Sequence, residues 1–178
     1  MAAPVPDDLA VSFQPVVGTA VMLRPLRPED LDIESDFVRG LSPETRHNRL
    51  LGGAITITRE YLERLTSVDY SRDMALAATL MLEKEVLIGV ARYVLDRDNT
   101  GAEFAIVIDD AWQGRGIGRR LLERLAAIAR GRGVPSLYGD ILSINRPMLH
   151  LVRTLGFVLS RNPDDPALAR ATLTLQEK

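Results

Sequence analysis

The chain has no cysteine, which excludes disulfides, thiolate metal sites, iron–sulfur clusters and cysteine nucleophiles. Histidine is nearly as scarce: His47 and His150 are the whole supply, too few for a site built mainly of imidazoles. Lysine is limited to Lys84 and Lys178, and every other basic residue is arginine. An excess of either charge is also missing. With 22 basic and 24 acidic side chains the net charge is −2, too little to draw the whole molecule to nucleic acid or anionic lipid, so neither partner is expected. The apolar run at 74–82, interrupted only by Thr79, falls well short of the ~18 residues a membrane helix needs. The first fifteen residues lack a cationic start followed by an apolar stretch, so no secretory signal is read and a cytoplasmic location is expected.

What remains is ordinary globular material. The 178 residues are 46% hydrophobic and 26% charged, enough for one compact domain with a real core. Residues 1–15 carry three prolines and Asp7-Asp8 and are expected to form a flexible N-terminal segment ahead of a domain at 16–178.

Along the chain, residues 18–26 read as a first strand. Pro28-Glu29-Asp30 suits the first turn of a helix running to Gly40. Ser42 before Pro43 marks a second helix, filled by Arg46, Arg49 and Leu50-Leu51, and Thr58 caps a third that ends near Asp69. Two apolar runs, 74–82 and 86–95, form an antiparallel hairpin. The turn from Asp96 to Gly101 begins like a calcium loop, but its twelfth position is Val107 where a bidentate glutamate is required, so calcium is rejected. A short strand spans 103–108. After a glycine-containing loop, Ile117, Leu121, Leu122, Leu125 and Ile128 recur at helical spacing up to Gly131. A strand at 136–142, a helix at 145–155 and strands near 157–160 and 169–175 follow. The fold class is α/β, a mixed α+β single domain with a sheet of about seven strands flanked by helices.

The chemistry concentrates in Gln113-Gly114-Arg115-Gly116-Ile117-Gly118, between a strand and a long helix. Free backbone N–H groups and a partial positive charge of about +0.5 converge there on any anion. No Gly-Lys-Ser/Thr follows, and Arg119 stands where a dinucleotide fingerprint needs its third glycine, so neither nucleotide motif fits. Residues 113–133 carry six arginines against Glu123 alone, a locally cationic surface, most of it a solvated helix face.

The stretch from Glu103 to Leu122 resembles the coenzyme A binding core of the GNAT N-acetyltransferase superfamily, whose Gln/Arg-x-x-Gly-x-Gly/Ala pattern is matched by Gln113, Gly116 and Gly118. Asn145 and Leu155-Gly156-Phe157 follow in the family's order. Upstream, the segments at 24–30, 41–46 and 69–76 resemble the catalytic domain of Pat-type bacterial protein lysine acetyltransferases. The resemblance implies acetyl-CoA as co-substrate, held at a splay between the fourth and fifth strands, and no metal. It implies that the backbone of Ile106, Val107 and Ile108 pairs with the pantetheine arm and that the amides of Gly114, Arg115, Gly116, Ile117, Gly118 and Arg119 cradle the pyrophosphate. Asn145 would hold the pantetheine side through its amide.

By the same resemblance Glu103 is the catalytic residue. A lysine-type amine has a pKa near ~10.4, so presenting it neutral at pH 7 costs about 4.6 kcal/mol, and a carboxylate that takes the proton offsets this. One position departs from the family: Val152 stands where many members place a tyrosine that protonates the leaving thiolate. That leaves solvent as the proton source, with Tyr138 on the preceding strand as a weak substitute. The expected partner is a protein presenting a lysine. The alternatives are a small-molecule amine as acceptor, or a non-catalytic acyl-CoA sensor.

Overall fold

In a computed structural model, which describes residues 4–176, eight strands form one open mixed sheet flanked by five helices. Two antiparallel strands, β1 (Val11–Val16) and β2 (Thr19–Pro25), open the chain. A one-turn 3-10 helix, Pro28–Asp30, leads into α1 (Leu31–Gly40), and α2 (Pro43–Arg49) and α3 (Arg59–Thr66) complete a helical insertion. The hairpin of β3 (Met74–Met81) and β4 (Glu85–Leu95) is followed by β5 (Ala102–Ile108) and the long α4 (Ile117–Gly131). Then come β6 (Ser136–Leu142), α5 (Arg146–Thr154), β7 (Val158–Arg161) and β8 (Leu168–Thr174). The strand order is β1-β2-β3-β4-β5-β6-β8-β7.

The expected seven strands are eight because residues 11–16 pair with β2, Val11 opposite Leu23 and Phe13 opposite Val21. That places the latter part of the expected flexible segment within the sheet. Proline lowers the strand signal of this stretch, but an edge strand tolerates it, and the register slips between Phe13 and Val16, around Pro15. Residues 1–3 of that segment and Lys178 lie outside the described residues. The splay is accordingly between the fifth and sixth strands. Helix α2 stops at Arg49, and Leu51, expected inside it, has a positive φ of 52°. Helix α3 likewise ends at Thr66, short of Asp69.

The two faces of the sheet are covered differently. On one, α4 buries Ile117, Leu121, Leu122, Leu125 and Ile128, a stripe at the 3.6-residue period, each such side chain stabilising the fold by about 1.5–3 kcal/mol. On the other, Phe37 and Leu41 of the α1 region pack on Leu26, Ala75, Ala77, Leu87 and Val90. Covered on both sides, β3 is buried along almost its whole length. A buried bidentate ion pair fastens the helical insertion to the sheet: Arg24 donates to both carboxylate oxygens of Asp30 at 2.7 and 2.8 Å, and to Glu85 at 3.0 Å. The Tyr70 hydroxyl adds a hydrogen bond to the carbonyl of Leu26.

Candidate active site

Every neighbouring pair of strands is antiparallel except β5 and β6, which run parallel and pair only at Ala102 with Leu137 and Glu103 with Tyr138. Pairing stops where Phe104 meets Gly139. A Cβ on Gly139 would stand 2.9 Å from the Phe104 carbonyl oxygen and 2.8 Å from its ring, and that ring packs on Phe157 with centroids 5.2 Å apart. Beyond this wedge the strands diverge, leaving a cleft of about 600 Å³. Its floor is β5. One edge of that strand is paired along its length with β4, from Ala102 opposite Leu95 to Ile108 opposite Gly89, and the other borders the cleft.

At one end of the cleft lies the glycine loop. Gly114 and Gly116 have φ of 72° and 82°, a conformation open to glycine at little cost, and a Cβ at either would point into open space. Gly116 is the N-cap of α4 and offers no side-chain cap, so the first amides of a fifteen-residue helix are left for a ligand. Gly118 has a different reason: a Cβ there would meet Leu151 at 3.3 Å and lie close to Ile108 and Ile106, where α4 crosses the strand.

Strand alternation divides β5 between two environments. Ile106 and Ile108 pack toward α4, whereas Ala105 and Val107 face the helical insertion. Glu103 shares the parity of Ala105 and Val107, is exposed and borders the cleft. Of the residues singled out in the sequence, Glu103, Ile106, Val107, Ile108, Gln113, Gly114, Gly116, Gly118, Arg119 and Asn145 converge on this one cleft. Arg115 and Ile117 do not border it. The Arg115 guanidinium lies 5.0 Å from the Trp112 ring centroid, and the Ile117 side chain is fully buried in the core. Arg119 donates to Thr154 at 2.7 Å, and Asn145 Oδ1 accepts from the Met148 amide at 3.2 Å, capping α5.

Tyr138 does not fill the place left by Val152. Its hydroxyl donates to Asp96 at 2.7 Å. This hydrogen bond, reinforced by burial, pushes the phenol up to about 12, away from acid duty. Val152 itself is completely buried. His47 borders the cleft from α2, and His150 does not.

Sequence reading missed two features. Beside the cleft, sharing Ala105, Val107 and Arg49 with it, a small recess holds Glu34 and Arg92. Glu34 is buried, its Oε2 has no hydrogen-bond partner among the described residues, and burial pushes its carboxyl up to about 6 despite the opposing charge of Arg92. The second is Asp110. Its carboxylate accepts from the Ser42 amide at 2.9 Å and from the Ser42 and Thr45 hydroxyls at 2.7 Å each. Though burial alone would raise its pKa, these bonds hold it below the usual aspartate value. The cap signal at Ser42 located α2 but carried nothing about which strand end it would face.

A sheet parted at its one parallel pair, with a glycine cradle at the mouth and a carboxylate on the floor, defines the class. Residues 52–157 match the Acetyltransferase (GNAT) family, and the chain belongs to that family. GNAT acetyltransferases use acetyl-CoA. The chain is 37% identical over 149 residues to an acetyltransferase of Pseudomonas aeruginosa, spanning 83% of this chain and 80% of that one. It is 32% identical over 152 residues to the acetyltransferase Pat of Mycolicibacterium smegmatis, where the match spans 85% of this chain but only 45% of the relative. Among solved structures it superposes on the GNAT domain of the S. lividans PAT protein with a TM-score of 0.83 and 24% identity, covering 96% of this chain and 99% of that domain. A cAMP-binding acyltransferase from Mycobacterium smegmatis gives a TM-score of 0.63 at 27% identity, covering 94% of this chain and 48% of the other.

Proposed function

We propose that this protein acetylates the side-chain amine of lysines in other proteins, with acetyl-CoA as donor and Glu103 as general base. The observation that carries the reading is the convergence of three features in one cleft: the unpaired edge of β5, the capless start of α4 and the Glu103 carboxylate. They fit an extended, phosphate-bearing thioester. The open edge of Ile106, Val107 and Ile108 suits strand-like pairing with the pantetheine amides. The amides around Gly114, Gly116 and Gly118 suit the pyrophosphate, with Arg119 beside them. The Asn145 oxygen is engaged as a cap, so its N–H₂ group is the part that serves the ligand.

Acetyl-CoA supplies an activated carbonyl. The neutral amine attacks that carbonyl, a C–N bond forms, the C–S bond breaks, and coenzyme A leaves as its thiolate. Glu103 takes the ammonium proton directly or through one water, and solvent protonates the thiolate, because Val152 brings no acid and the Tyr138 hydroxyl is engaged by Asp96. No metal enters this scheme. The lysine acceptor is favoured by similarity to Pat over most of this chain and by the Pat-like segments at 24–30, 41–46 and 69–76. A cytoplasmic setting belongs to the same proposal.

The test is mass spectrometry of a deacetylated cell extract incubated with isotopically labelled acetyl-CoA and either the parent protein or Glu103→Gln. Label on lysines of a few proteins, reduced at least ~100-fold by the substitution, is the expected result. Label confined to small amines would replace the acceptor. No label above the no-enzyme control, with acetyl-CoA binding intact, would make the protein a sensor.

A further inference from the structure

We propose that Asp110 is a positioning residue that couples the cofactor loop to the acceptor wall, so that occupying the loop sets α2 in place. The inference rests on the reading of the glycine loop as the cofactor cradle. Asp110 lies in the 3-10 turn Asp110–Trp112, directly before Gln113 and the loop. That turn has its own cap, because the Asp109 carboxylate accepts from the Ala111 amide at 2.8 Å. The Asp110 carboxylate is therefore not needed locally. It reaches instead to residues 65 and 68 positions earlier in the chain, taking the Ser42 amide and hydroxyl and the Thr45 hydroxyl.

The connection is closed from the other side. Gln113 Nε2 donates to Thr45 Oγ1 and to the carbonyl of Ile108, both at 3.1 Å. Asp110, Thr45, Gln113 and the end of β5 thus form one continuous polar ring. The donors are consistent: Thr45 Oγ1 gives its single proton to Asp110 and accepts from Gln113, and the two N–H groups of Gln113 go to two acceptors.

Helix α2 depends on this ring more than its neighbours do. None of its residues is buried, so it lacks the apolar anchor that holds α1 and α3. Yet Glu44, Thr45, His47, Asn48 and Arg49 border the cleft opposite β5, where an acceptor on the Glu103 face has to pass. A wall without an apolar anchor takes its position from directional bonds, and those to a carboxylate are the stronger kind. A phosphate drawn into the amides beyond Gln113 steadies the turn and Gln113 together, and the ring carries that order to α2.

Hydrogen exchange of the whole chain with and without coenzyme A tests this. In the parent protein, coenzyme A should slow exchange at residues 45–49 by about threefold or more, alongside the loop amides at 114–119. In Asp110→Ala the loop should still be protected and the coenzyme A Kd should stay within about threefold, while the slowing at 45–49 disappears. Asp110→Asn, which keeps an acceptor oxygen but not the charge, should restore part of it. A side chain that merely braced α2 would raise exchange there equally with and without ligand. That result, or parent α2 amides indifferent to bound coenzyme A, overturns the coupling. Absence of coenzyme A binding to the parent protein overturns the cofactor reading, and the coupling with it.

Discussion

At the scale of single residues, the most informative departure from ordinary burial is Glu34. A carboxylate only 2% exposed and lacking, among the described residues, a partner for one oxygen is costly to keep charged. Arg92 opposes that cost without cancelling it, and the carboxyl is pushed from the ordinary 4.5 up to about 6. The folded protein therefore holds a proton between those values that the unfolded chain has released. More protons bound in the folded state means stability falls as pH rises through that interval. Glu34→Gln, neutral and of the same shape, is expected to be more stable than the parent by about 2 kcal/mol at pH 7 and equal to it near pH 4. Urea unfolding at the two pH values measures both. Such a residue is invisible in sequence, because a glutamate on an amphipathic helix reads as a solvated face.

At the scale of elements, the glycine loop and the helix it opens were legible because their requirements are local. Gly116 with its positive φ starts α4, and the heptad-like stripe behind it states which face is buried. Gly116→Ala places a Cβ in a left-handed conformation, costing about 1–2 kcal/mol, on the surface proposed to meet the pyrophosphate. Thermal unfolding should fall by about 2–8 °C and acetyl-CoA affinity by about tenfold, read by calorimetry. The three upstream segments behave differently. Arg24 with Asp30, Tyr70 with Leu26, and Ser42 and Thr45 with Asp110 are the joints by which the helical insertion is fixed to the sheet and loop. Strand β1 was missed because Pro15 argues against a strand unless the strand is known to lie at an edge, and the edge exists only once β2 and β3 have paired.

At the scale of the whole molecule, the sheet is two ladders, β1 to β5 and β6 to β8, joined by two residue pairs. The junction depends on Gly139 leaving room for Phe104, whose ring bridges to Phe157. Gly139→Ala drives a Cβ against a backbone carbonyl that cannot swing aside, and should cost about 1–3 kcal/mol, seen as a lower denaturant midpoint with an unchanged slope. Acetyl-CoA, binding only the folded cleft, should recover part of the loss.

The sequence by itself determined the class of fold, the order of nearly every element and the glycine loop that opens α4, because hydrophobic period, cap residues and glycine spacing are short-range signals; Glu103 was singled out by resemblance, and its role stands as a proposal. Among the described residues, ten of the twelve positions it singled out border one cleft. Tertiary structure alone decided that β5 and β6 part after Glu103, that Tyr138 is engaged by Asp96, that Glu34 is buried, and that Asp110 reaches Ser42 and Thr45. Each of these is a contact between residues thirty or more positions apart, or a burial that such contacts create. The chain's local chemistry permits them, and only the packed sheet and its helices bring the partners within reach.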